Sequence, residues 1–238
     1  VAEACSKHFG DKLLLVGTGQ NSITGTTQLR KIKDRFPIPI ELSDTDVETV
    51  IREIVLRKRP DCTDKVASEL KPLSGEISRH LQGTDLETCP EDDKVLVPDY
   101  PLLPTRRRFW ERTLRAVDPA GTSGQLRTQL KIVHEAVRTT AELPLGTVVP
   151  GDFLFEQVST DLVQTGVLSR ETDNLIRSLQ DGNPDNELKS RLCALCFLIG
   201  KLPREAGDTG VRATPDTLAD LIVSDLKAGS GDLRKQIP

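Results

Sequence analysis

Apolar positions along the chain switch from a strand-like to a helix-like period at Ser43. Before that point, Lys12 to Gly17 (Lys-Leu-Leu-Leu-Val-Gly) is a continuous apolar run that stops at glycine. That is the pattern of a strand buried on both faces of a parallel sheet. Thr18, Gly19, Gln20 and Asn21 then put polar side chains just past the strand's carboxyl end, where open α/β sheets bind ligands. Thr26 to Phe36 predicts a helix. Pro37 to Leu42 predicts an edge strand, because prolines cannot donate to a ladder. One central strand makes no stable sheet, so the rest of this layer is expected before Val1.

From Ser43 the spacing is helical. Ser43 and Asp44 suit a cap, and Val47, Val50, Ile51, Ile54 and Val55 share one apolar face. Helices are expected over Asp61 to Leu70 and Ser74 to Leu81, the three together forming a small lid. Gly83 to Asp99 carries six acids against one lysine, with prolines at 90 and 98, and reads as a linker or solvated loop. Pro104 to Leu143 is helical, with Leu126, Leu130, Val133 and Val137 on one stripe and a break at Pro119 to Gly124. Further helices are expected over Asp152 to Thr165, Arg170 to Leu179 and, after a turn at Asp181 to Asn186, Leu188 to Ile199. The last is apolar on most of its surface and should be central. Thr214 caps a helix that starts with Pro215, with Leu218, Leu221 and Ile222 inside. Lys227 to Gly231 is a turn, and a final helix begins at Asp232. Helix, capped helix, turn and helix is the order of a helix-turn-helix or winged-helix unit, with Arg234 and Lys235 placed for base or phosphate contacts. The strands of a wing are absent.

The expected fold is therefore mainly α: the remnant of an α/β core (1–42), a helical lid (43–83), an acidic linker (84–103), a helical domain (104–184) and a partial winged helix (185–238). Composition fits, with 37% hydrophobic and 29% charged residues in 238. The longest uncharged apolar run, Leu192 to Ile199, has eight residues, well short of a membrane span. The amino end has no secretory signal pattern and no Met, so the chain reads as an internal section of a longer protein. Five scattered cysteines point to a reducing cytosol. Cys193 and Cys196 form a C-x-x-C inside the apolar run, without a His or second pair nearby. They are expected to pack as small hydrophobes, and no metal site is expected.

Charge is segregated. Thr105 to Thr140 holds eight basic and three acidic residues within a chain of net charge −4. Arg106, Arg107, Arg108 and Arg112 are densest, with Arg115 and Trp110 among them. Three arginines in a helix's first turn oppose the macrodipole, so something negative should stand nearby. Nucleic-acid phosphate is one candidate. The acids of 85–99 are the other, and the negative net charge weighs towards them. The chain has no G-x-x-x-x-G-K-[ST] loop and no acidic pair after an apolar strand to hold magnesium. Gly17-x-Gly19 is too short a match for a dinucleotide fingerprint, and no second half of such a fold follows.

A strand ending in polar residues, a helix ending Asp34-Arg35-Phe36, an edge strand and a helical lid resemble the second half of an AAA-type ATPase module. Leu13 to Gln20, Arg35 to Val47, Asp99 to Glu111 (Asp-Tyr-Pro-Leu-Leu-Pro-Thr-Arg-Arg-Arg-Phe-Trp-Glu), Gly121 to Arg138 and Asp208 to Thr214 narrow this. They are similar to the BrxC/PglY family of BREX phage-defence P-loop proteins through nearly the whole chain. The resemblance implies a cytoplasmic bacterial ATPase and assigns roles by position. Gln20 falls at the polar sensor, with Thr18 beside it. Arg35 falls at the arginine finger, its alternative being an ion pair with Asp34 or Glu41. Arg79 falls at the lid's sensor arginine, though it lies four residues after Gly75 where the family pattern has three. ATP and Mg2+ are implied for the full-length protein, with a homo-oligomer, BREX partners including a DNA methyltransferase, and DNA. The competing expectation is a non-catalytic helical module for DNA or protein docking.

Overall fold

The computed structural model describes residues 12, 16–17, 36, 38, 40, 48–117, 125–203 and 209–237, with backbone alone for 125–127. The chain divides into two compact units, Val1–Val47 and Glu48–Pro238.

In the first unit the described residues are few. Gly17 lies against the Phe36 ring, where an added Cβ would come within 3.3 Å of Cζ. Val16, Ile38 and Ile40 are exposed and outside regular structure. The strands expected over Lys12 to Gly17 and Pro37 to Leu42 are therefore not seen at these residues. An apolar run extends as a strand only where neighbouring strands pair with it. The expected helix over Thr26 to Phe36 lies outside the described residues up to Phe36, which is itself in no helix.

The second unit is helical. Residues 48–50 enter as α-helix and pass into a π-helical stretch, Ile51–Val55. The wider turn shifts the phase of the apolar face. Ile51 and Leu56 are buried, whereas Ile54, expected inside, is 70% exposed. Helix α1 (Pro60–Leu70) begins with proline at its first turn, where the missing N–H costs nothing, and passes through a 3-10 turn, Lys71–Leu73, into α2 (Ser74–Arg79).

The acidic stretch expected as a solvated linker is folded. It contains α3 (Asp92–Asp99), and both of that helix's terminal aspartates are buried. Composition misleads here because the counter-charges lie on α4 (Pro104–Val117). Helices α5 (Gln125–Thr140), α6 (Phe153–Gln164) and α7 (Arg170–Ser178) follow close to the expected spans. Helix α8 (Pro184–Lys201) starts earlier than expected, with Asn183 accepting from the Asp185 N–H and proline at the first position. It packs against α4, α6, α7 and α9 and is central, as its apolar surface predicts. Thr214 caps α9 (Pro215–Ile222) through the Thr217 N–H, and α10 (Gly231–Gln236) closes the described chain.

One core cluster joins Val66, Leu70 and Ile77 to Leu103, Val148 and Leu226. It runs across the boundaries expected at 83/84, 103/104 and 184/185. At its centre the segment 146–151 is stitched to the residues after α9: Val148 N–H donates to Ser224 O at 2.7 Å, and Leu226 N–H to Gly146 O at 3.1 Å. Thr147 and Asp225 form an isolated antiparallel bridge. Among the described residues no helix is long and apolar enough to cross a membrane.

The end of α9 is buried, and its last carbonyls need donors. Ala219 O accepts from Val223 N–H at 3.0 Å and Leu221 O from Gly151 N–H at 2.6 Å. Asp220 O accepts from Arg106 Nη2 and Ile222 O from Arg191 Nη2, each at 3.0 Å. Gly151 permits this approach, since a Cβ there would lie 3.1 Å from Leu221 Cδ2 and 3.3 Å from Leu221 O. Arg106 also donates to Val149 O and Val223 O, each at 2.6 Å. Replacing Arg106 with Leu leaves three buried carbonyls unpaired, at about 1–3 kcal/mol each. The Arg106→Leu variant is expected to unfold at a clearly lower urea midpoint, with a loss of about 3 kcal/mol or more. Arg106→Lys, which cannot reach all three carbonyls, falls between it and the wild type.

Candidate functional site

The densest basic sequence lies on the first two turns of α4, and its side chains turn inward. Arg106 is 1% exposed and gives its guanidinium to the three carbonyls just described. Burial pushes its pKa down to about 9, so it is still cationic at neutral pH. Arg107 meets Asp99, which is wholly buried, at 3.0 Å, and Glu111 at 3.2 Å. Asp99 also takes Arg52 Nε at 2.6 Å, so one buried carboxylate serves two guanidiniums. Arg108 holds Asp92 with both nitrogens, at 2.6 and 2.9 Å, and donates to Glu87 O at 2.8 Å. Arg112 pairs with Asp85.

The nucleic-acid role expected for Arg106 and Arg107 is thus corrected: a phosphate cannot reach side chains buried and occupied in this way. Arg108 and Arg112 are half-exposed but are bound to the 85–99 acids. The negative groups required near this helix start are internal carboxylates and the C-terminus of α9. Glu111, another carboxyl of the cluster, has its pKa raised by burial in spite of Arg107.

Two other predicted residues meet elsewhere. Arg79 on α2 and Arg234 on α10 both line a cleft of about 470 Å³, with Gly83, Gly210, Arg212 and Thr214. The N-terminus of α9 forms one side through Asp216 and Thr217, and the turn at 81–84 forms the other. Leu81 has φ +58°, a left-handed conformation unusual for a branched side chain. It is held by Asp220, whose Oδ2 accepts from the Leu81 N–H at 3.0 Å while Oδ1 accepts from Arg234 Nη2 at 2.6 Å. Arg234 also pairs with Asp216 at 3.2 Å. Arg79 is exposed and paired with Glu76. Lys235 is exposed beside Asp232 at 3.0 Å. Guanidiniums, hydroxyls and carboxylates together make this cleft a surface for ionic hydrogen bonding.

Behind the cleft wall sits His80, 1% exposed, with Nε2 3.5 Å from Glu76 Oε1. Burial, reinforced by the charges of Arg106 and Arg234, pushes its pKa down to about 3. Glu76 is held down to about 2: burial opposes its charge, but hydrogen bonds from Ser230 and Arg79 outweigh that.

Thr18, Gln20 and Arg35 lie outside the described residues. Sequence reasoning missed Asp220 and Glu76, which organise the cleft from 14 and 154 residues away from their partners Arg234 and Ser230. Arg212 stood within a quoted segment but was assigned nothing. The cysteines of the C-x-x-C are exposed, contrary to the expectation that they pack inside. Among the described residues no group of three or more His, Cys, Asp or Glu could hold a metal ion. Comparison of the chain with protein families, curated proteins and solved structures gives no match in any of the three.

Both groups contribute to the acid response. His80 folds neutral, so its contribution is fully present above about pH 6.5 and is lost as pH falls from there towards 3. Glu76 contributes fully above about 4.5 and loses that contribution towards pH 2. Chemical denaturation from pH 7.5 to 5 should show stability falling by up to about 1.4 kcal/mol per unit below pH 6.5. In His80→Leu that slope should flatten.

Proposed function

We propose that this chain is part of a BREX-type anti-phage defence ATPase. Residues 1–42 are the end of an AAA-type core, 43–83 its helical lid, and a helical domain and a partial winged helix follow. The reading rests on the quoted sequence segments. The structural observation that supports it best is the place of Arg79: exposed on α2, at the rim of an arginine-lined cleft, with a guanidinium that an exchange of partners would free for phosphate. In the full-length oligomer Gln20 orients the attacking water, Thr18 assists it, and Arg35 reaches the neighbouring subunit's nucleotide. ATP and Mg2+ are held largely by residues outside this chain. The protein works in the bacterial cytoplasm with other BREX proteins, including a DNA methyltransferase, on DNA.

A second reading, a non-catalytic docking module, is favoured by one observation. The α4 arginines are neutralised within their own unit, which suits a rigid scaffold for a protein partner better than a surface for DNA. Arg79 and Lys235 are exposed, each beside an acid of its own helix, Glu76 and Asp232.

Arg35→Ala in the full-length protein should lower ATP turnover by about 10³-fold or more with ATP binding retained. Arg79→Ala should weaken both nucleotide affinity and turnover. Turnover unchanged in both variants would exclude the motor reading. For the chain alone, Arg108→Ala and Arg112→Ala should leave the salt dependence of any DNA binding unchanged.

A further inference from the structure

Helix α8 is central, yet one stripe of it faces outward. Ser190, Ala194, Leu195, Leu198 and Ile199 are buried, while Lys189, Cys193, Cys196 and Gly200 are exposed at intervals of four, three and four residues. The apolar run that suggested two packed thiols is real, but its phase puts both cysteines on the solvent side. Both are free thiols.

Positions three apart on a helix have Cβ atoms about 5–6 Å apart. A disulfide needs Cβ atoms about 3.5–4.5 Å apart, so closing one here would require the helix to deform. A bridging ion needs less. Two metal–thiolate bonds of about 2.3 Å set in line span about 4.6 Å, within reach of side-chain rotation from that Cβ spacing. Thiolate pairs select soft cations. The ligand count narrows the choice further. A tetrahedral zinc site takes four protein ligands, and among the described residues no third His, Cys, Asp or Glu joins the pair. Cys62 and Cys89 lie on other segments, the start of α1 and the turn before α3.

We propose that Cys193 and Cys196 form a surface two-thiolate site for a soft monovalent d10 cation of the Cu(I) class. Binding displaces one proton from each thiol, and each thiolate donates an electron pair to the ion with no change in oxidation state. The resulting bis-thiolate complex carries one net negative charge, beside which Lys189 stands four residues before Cys193 on the same stripe. The site is independent of the nucleotide reading, because it uses no residue of the cleft or of the first unit.

The test titrates the reduced, oxygen-free chain with Cu(I) in competition with a chromogenic Cu(I) chelator, and repeats it with Ag(I), which is redox-silent. The wild type should retain one equivalent. Cys193→Ser and Cys196→Ser should each weaken retention beyond the roughly 10–100-fold seen on losing an outer partner of a metal ligand. Both changes are on the exposed stripe, so far-UV circular dichroism should stay that of the wild type and show that the fold is kept. A Cys5→Ser, Cys62→Ser, Cys89→Ser triple variant should bind as the wild type does. Retention unchanged in the two single variants, retention lost in the triple variant, or no retention by the wild type would each overturn the assignment.

Discussion

The helical unit depends on bringing the end of α9 into its interior without leaving carbonyls unpaired. A buried helix terminus presents a row of acceptors and the negative end of a dipole. Here the guanidinium of Arg106 from α4, that of Arg191 from α8 and the N–H of Gly151 meet it from three directions. Arg191 also holds Asp152 with two nitrogens, at 2.6 and 2.9 Å, so the segment after Val149 is fixed to α8 as well as to α9. Trp110 adds its indole N–H to Gly151 O at 2.9 Å. These bonds set where α4, α8 and α9 meet.

The same economy governs charge. An acidic stretch and a basic helix, adjacent in sequence, fold onto each other so that Asp85, Asp92 and Asp99 each take an arginine of α4. Asp99 is costly to bury, and the cost is offset because it receives two guanidiniums while Lys58 closes the end of its helix by donating to Pro98 O and Tyr100 O. Burial pushes the Lys58 pKa down to about 8. A region that looks like a nucleic-acid surface in composition thus becomes the electrostatic interior of the unit. What stays outward is the cleft between the 81–84 turn and α9, whose three arginines come from three separate stretches of chain.

How much was legible follows from the distance over which each interaction acts. Apart from α3, which lies in the stretch expected as a linker, and the early start of α8, the helices from α1 to α9 fall close to their expected spans, because caps such as Thr214, proline at a first turn and apolar period are local. Ile54 was misplaced because a π-turn alters the period from which its face was inferred. The composition of 84–103 by itself reads as solvated, whereas the arginines that bury Asp99 and Asp92 lie 8 and 16 residues further on, where the sequence already offers these acids as one of two candidate neighbours. Arg79 and Arg234 were singled out separately, for different reasons, and nothing in the sequence indicates that they share a cleft.

The sequence by itself determined that this is a helical protein, where most of its helices start and stop, and that arginines at the start of α4 require negative neighbours. Those follow from backbone hydrogen bonding and dipoles, which act within a turn or two. Only the tertiary structure decided which negative groups answer them, that Arg106 is spent on the carbonyls of a helix more than a hundred residues away, and that two thiols in an apolar run face water. Those outcomes depend on which surfaces meet, and the meeting is set by packing among all the helices at once.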